Sequence, residues 1–211
     1  MQQIVFRTMS RFLPLICLVI ILSAICLATI LLGSGQTKQL VTEMMIRVVL
    51  VVGIYVFVGN SGILSFGHIG FMAIGAYASA WLTCCTLPTV KPMYLTELPE
   101  FLQMTSYPLW AGILNAVAIS GFVALIIGFA LLRLPGIAAS IATFAFLAIV
   151  ASVYSNWDGM TGGSSSLSNI PVDVGPWTAT FAAITTVAVA FIHQNSRSGL
   201  MLRATRDDSV A

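Results

Sequence analysis

Apolar residues fall along this chain in long runs separated by short polar or turn-rich stretches. Six runs stand out: Phe12 to Leu32, Met44 to Val58, Ile63 to Cys84, Leu109 to Leu132, Ile137 to Tyr154 and Trp177 to His193. At 1.5 Å rise per residue, a helix of about 20 residues matches a hydrocarbon core of about 30 Å. Lipid offers no partners to an open backbone, so each run is predicted to be a helix. The pattern therefore predicts an all-α, polytopic transmembrane helical bundle of about six spans.

Composition sharpens this reading. Only 8% of the residues are charged and 58% are hydrophobic, against about 25% charged in a soluble domain. So few charges cannot cover a globular surface in water, which leaves the bilayer as the solvent. Arg7 and Arg11 precede the first run, as in a signal peptide, but the run exceeds the usual 7 to 15 residue core. It reads as an uncleaved first span.

Arginine placement sets the orientation. Arg7 and Arg11, then Arg133, then Arg197, Arg203 and Arg206 fall on one side of a six-span chain. Lys38, Lys91, Glu97, Glu100, Asp158 and Asp173 fall on the other. Both termini are then cytoplasmic, and the long segments 86–107 and 156–176 face outward.

The third run is unusual. "NSGILSFGHIGFMAIGAYASAW", Asn60 to Trp81, carries serines, a histidine and four glycines within apolar surroundings. Ser61, Ser65, His68, Met72, Gly75 and Ser79 recur at helical spacing, which predicts one polar or small face and makes them candidates to line a translocation path. Gly70, Ala73, Ala76 and Ala80 form a second face of small residues, suited to close packing of another helix. His68 fits two roles: a titratable group on a solute route, or a hydrogen-bonding fastener between helices. Gly62 and Gly67 weaken the helix start, so the segment could enter the membrane as a broken helix. Glu43 and Arg47 have the i, i+4 order of a local ion pair. Cys17, Cys26, Cys84 and Cys85 lack metal-ligand spacing and read as small apolar filler.

No phosphate-binding loop, no paired carboxylates within spans and no zinc spacing are present in the sequence. A membrane enzyme is disfavoured, no metal or cofactor is expected, and uphill transport would need energy from another subunit. A secondary transporter or channel for a small polar solute such as urea or an amide remains the alternative.

Three segments carry a resemblance. The first is "GNSGILSFGHIGFMAIGAYASA", with its Ser-x-Gly-His core followed by Gly-Ala-Tyr. The second, Leu131 to Pro171, contains Leu-Arg-x-x-Gly, Ile-Ala-Thr, Asn-Trp and Thr-Gly-Gly in that order. The third, "SRSGLMLRATRDDSVA", reads Ser-x-x-Gly-x-x-x-x-Ala-x-Arg-Asp. Together they resemble the inner-membrane permease subunits of bacterial ABC importers for branched-chain amino acids, the LivM-like group. Pro135 before Gly136, and Ser166 where the group carries glycine, depart from its pattern.

The resemblance implies a bacterial inner-membrane, multi-pass, non-enzymatic subunit. Residues 1–211 would form one partial transmembrane permease domain, truncated at its C-terminus. It also implies a second permease subunit, cytosolic ATPases that bind the ATP, a periplasmic or extracellular substrate-binding protein, and no nucleic acid. Residues 196–211 would begin the ATPase-coupling segment, with Gly199, Arg203, Ala204, Arg206 and Asp207 as its candidates. From the residues alone that tail is a basic interfacial end, and reads first as a lipid-headgroup anchor.

Overall fold

The computed structural model describes residues 2–85, 91–131, 133–134, 136–163, 167, 170 and 174–207, without the side chains of 2–11, 93, 94, 136, 205 and 207. Among these residues the chain is helical, in the order α1 (Gln2–Leu32), α2 (Gly35–Ser61), α3 (Gly67–Thr83), α4 (Lys91–Tyr94), α5 (Glu100–Gln103), α6 (Leu109–Leu131), α7 (Gly136–Asn156), α8 (Asp158–Thr161), α9 (Pro176–Asn195) and α10 (Arg197–Asp207). Five segments are long and apolar enough to cross a membrane: Phe12–Leu32, Gly35–Ser61, Leu109–Leu131, Ile137–Asn156 and Pro176–Asn195. Their large apolar side chains point outward, with Leu125 75% and Ile137 80% exposed. A surface of that kind belongs in lipid.

The predicted third span is shorter than its apolar run. α3 holds 17 residues, about 25 Å at helical rise. The helix that was expected from Ile63 begins at Gly67 instead, because Gly62 ends α2 in the left-handed region, at φ 70°. Its N–H caps the helix on the Val58 carbonyl at 3.0 Å. A Cβ is penalised in that conformation, so glycine suits the position. The second span is longer than its run, because Ser34 caps α2 well before Met44.

The residues divide into two compact units, Met1–Gly62 with Val174–Ala211 and Ile63–Asp173. In the first, α1, α2 and α9 pack through Leu22, Val41, Met45, Ala179, Ala183 and Val187. Phe12 near the start of α1 meets Phe191 near the end of α9 at 5.4 Å, and Cys26 lies against the Pro176 carbonyl, so these helices run antiparallel. The Glu43–Arg47 ion pair forms on the exposed side of α2, where such pairs contribute about 0–1 kcal/mol.

In the second unit α3 lies between α6 and α7. Gly112 of α6 sits against Thr83 and Ser79, where an added Cβ would come within 2.5 Å of Thr83 Cγ2. Gly70 of α3 sits against α7, where a Cβ would lie 2.9 Å from Phe146 Cε1. Asn115 donates from α6 to the Ala78 carbonyl at 2.7 Å. Bonds of this kind between membrane helices contribute about 0.6 to 2 kcal/mol.

Gly112→Leu is expected to destabilise the detergent-purified protein by about 1–3 kcal/mol, read as a lowered thermal midpoint. Gly121→Ala, with no atom within 4 Å of the new methyl, should leave the midpoint unchanged or slightly raised.

Candidate functional site

Each unit holds a polar cluster of its own, the first at the end of α2 and the second at the start of α3. On the first unit's side, Asn60 is 2% exposed in the last turn of α2. Its amide donates to the Val56 carbonyl at 2.7 Å, and its Oδ1 accepts from Arg203 Nε at 2.9 Å. Arg206 Nη1 donates to the Gly59 carbonyl at 3.1 Å. The final turn of a helix has carbonyls without intrahelical partners and carries partial negative charge, so arginines placed there satisfy both.

On the second unit's side, residues 63–66 are non-helical, and α7 supplies partners to their backbone. Ser140 Oγ donates to the Leu64 carbonyl at 2.7 Å, and Thr143 Oγ1 accepts from the Phe66 N–H at 3.3 Å. Ser65 Oγ and His68 Nδ1 share a hydrogen bond at 3.2 Å.

The predicted polar face is divided by this geometry. Ser61 belongs to α2, Ser65 to the lead-in, and His68, Met72, Gly75 and Ser79 to α3. Ser65 and His68 are half-buried and Met72 is exposed. Gly75 faces Ala116 and Ser120, and Ser79 faces Gly112, so α6 occupies the far half of the stripe. Of the small-residue face, Gly70 and Ala80 are buried and Ala73 is half-buried, whereas Ala76 is exposed. Steps of three residues fall about 60° short of a turn, so that series walks off the packed face. Gly67, Gly70 and Ile74 hold the contact with α7 instead.

In the tail, Gly199, Arg203 and Arg206 share the face of α10 that meets the rest of the first unit. Ala204 is exposed. The Asp207 side chain, Asp208, Pro135, Ser166 and Asp173 lie outside the described residues.

A packed cap covers the far end of the second unit, where α3 and α7 end. Cys84 and Cys85, expected as filler, are joined in a disulfide and buried with Leu95 and Leu98. Cys85 stands in the left-handed region at φ 67°, which brings the adjacent sulfurs together. Trp81 Nε1 donates to the Met160 carbonyl at 2.8 Å, and Trp157 Nε1 to Glu97 Oε2 at 2.6 Å. Thr161 is fully buried and donates to the Tyr154 and Trp157 carbonyls. Gly162 then turns through φ 73°, a physical reason for the Thr-Gly-Gly motif. Among the described residues no three His, Cys, Asp or Glu side chains gather where a metal could sit.

Sequence reasoning missed Asn60, Ser140, Thr143 and Asn115. The signal was present for each as a polar residue inside or beside an apolar run, but their partners lie 37 or more residues away, or in another helix.

This arrangement accompanies a clear relationship to known proteins. Residues 36–211 match the family described as branched-chain amino acid transport system, permease component. The chain belongs to that permease family. It is 36% identical over 138 residues to the high-affinity branched-chain amino acid transport system permease protein LivM of Salmonella typhimurium, and to the LivM protein of Escherichia coli to the same extent. The similarity covers 65% of this chain and 28% of each relative, so the chain spans well under half of their length. No solved structure matches it. Family and apolar helices together identify a multi-pass protein of a bacterial inner membrane.

Lys91 in the cap gives a pH test. It is 1% exposed and donates to the Thr105 carbonyl at 2.9 Å. Burial holds its pKa below the ordinary lysine value. The unfolded chain then binds the proton more tightly than the folded one, so stability rises with pH between the folded and ordinary values. Thermal stability is expected to increase as pH approaches the ordinary lysine range. Lys91→Met should flatten that dependence; the same slope in the variant would assign it to other groups.

Proposed function

We propose that this chain is a permease component of an ATP-driven importer for branched-chain amino acids and forms part of the translocation path. The family match across residues 36–211 carries the proposal. Separate cytosolic ATPases bind the ATP, a second permease subunit completes the path, and an external binding protein delivers the solute. The chain itself performs no catalysis and needs no cofactor.

The residue chemistry supports this division of labour. Ser65, His68 and Met72 present a weakly polar face without a fixed charge. Such a face offers a zwitterion no fixed counter-charge to hold it. The cap formed by 91–107 and 157–163 faces outward and meets the binding protein. The arginine-bearing tail faces the cytoplasm, as do both ends of the first unit that Phe12 and Phe191 bring together.

Purification of the tagged chain in its complete reading frame tests the proposal. ATPase subunits should co-isolate, and the reconstituted complex should accumulate leucine in proteoliposomes only with ATP. Uptake driven by a proton or sodium gradient, with this chain alone, would overturn it. In that complex His68→Ala should lower uptake well beyond any loss of assembled complex. Equal losses of both would assign His68 to helix fastening.

A further inference from the structure

Resting on the importer reading, we infer that Asn60 is a positioning residue through which the tail helix α10 moves the C-terminal end of α2. Three observations in the first unit carry this.

The first is the direction of the arginines. A helix pressed against a partner ATPase through its charges would turn them outward. Arg203 instead reaches inward to Asn60 Oδ1 at 2.9 Å, and Arg206 Nη1 reaches the Gly59 carbonyl at 3.1 Å. Leu200, Met201 and Ala204 are left exposed on the other side of α10, together with Arg197. The helix thus has two faces, one joined to α2 and one open to a partner.

The second is the way Asn60 is held. It is 2% exposed, and its amide is fixed to the Val56 carbonyl at 2.7 Å. A side chain clamped at both ends transmits displacement instead of absorbing it. A shift of α10 therefore becomes a shift of the last turn of α2. That turn ends at Gly62, whose backbone lies against the Arg206 side chain, where an added Cβ would fall 2.5 Å from Arg206 Cγ.

The third is an incomplete contact. Arg203 Nη2 is buried without a hydrogen-bond partner among the described residues. A buried guanidinium nitrogen lacking an acceptor is costly for a contact that only braces the fold. The contact to Asn60 thus leaves one guanidinium nitrogen available to a further acceptor.

The test uses the complete reading frame assembled with its ATPase and binding protein in proteoliposomes, with ATP hydrolysed per leucine imported as the readout. Asn60→Leu should raise that ratio about tenfold, within the range of a single coupling contact, with the ATPase still bound at wild-type stoichiometry. Asn60→Asp keeps an acceptor for Arg203 but gives up the donor to Val56, and should fall between wild type and Asn60→Leu. If Asn60→Leu fails to assemble, Arg203→Lys reads the same bond, because lysine keeps the charge but not the guanidinium geometry. An unchanged ratio in Asn60→Leu, or in Arg203→Lys where that variant serves, overturns the inference. Wild-type preparations free of any ATPase would overturn the importer reading itself, so the two failures are told apart by which sample shows them.

Discussion

A backbone that leaves its helix must find new hydrogen-bond partners, and much of the polar chemistry around the connection from α2 to α3 follows from that constraint. α2 ends at Ser61 and α3 begins at Gly67. The residues between carry peptide groups that neither helix can serve. On one side Gly62 closes α2 by returning its N–H to Val58, and Arg206 serves the Gly59 carbonyl. On the other side Ser140 and Thr143 serve Leu64 and Phe66. Each unsatisfied group would cost about 1–3 kcal/mol, so several polar side chains in otherwise apolar helices are accounted for by one interruption.

The same interruption explains why α3 is tightly flanked. A 17-residue helix has limited apolar contact with lipid and relies on its neighbours. Gly67 and Gly70 admit α7, and Gly112 admits α6. Close approach lets Asn115 reach the Ala78 carbonyl and Tyr77 stack edge-on against Tyr154 at 4.7 Å. Small residues here act on two helices at once, which is why substitutions on the lipid side and the packed side of α6 should behave so differently.

Much of this was legible in the sequence. The long apolar runs gave the spans to within a few residues wherever the chain met ordinary lipid, as at Phe12–Leu32 and Leu109–Leu131. The glycines at 62 and 67 marked a weak helix start. What periodicity could not supply was the cover over each face: α6 takes Gly75 and Ser79 out of the stripe and leaves Met72 exposed. Three-residue steps placed Ala76 on paper with Gly70, but accumulated rotation turns it away. The bond between Cys84 and Cys85 depends on a left-handed residue that no spacing rule anticipates. The arginines of the tail were visible as charges, yet their inward direction is set by an asparagine 143 residues earlier.

That last case shows how one short helix divides its charges. α10 runs only from Arg197 to Asp207. With Gly199, Arg203 and Arg206 turned toward the first unit, Leu200 and Met201 are left largely exposed beside Arg197. Burying those two on a partner would contribute a few kcal/mol at about 25 cal/mol per Å². Arg197 on that same surface would have to be desolvated as well, at a cost that offsets part of the gain. Arg203 and Arg206 reach the end of α2, where the Asn60 side chain and the Gly59 carbonyl accept them, while Arg197 stays on the outer face beside the apolar pair.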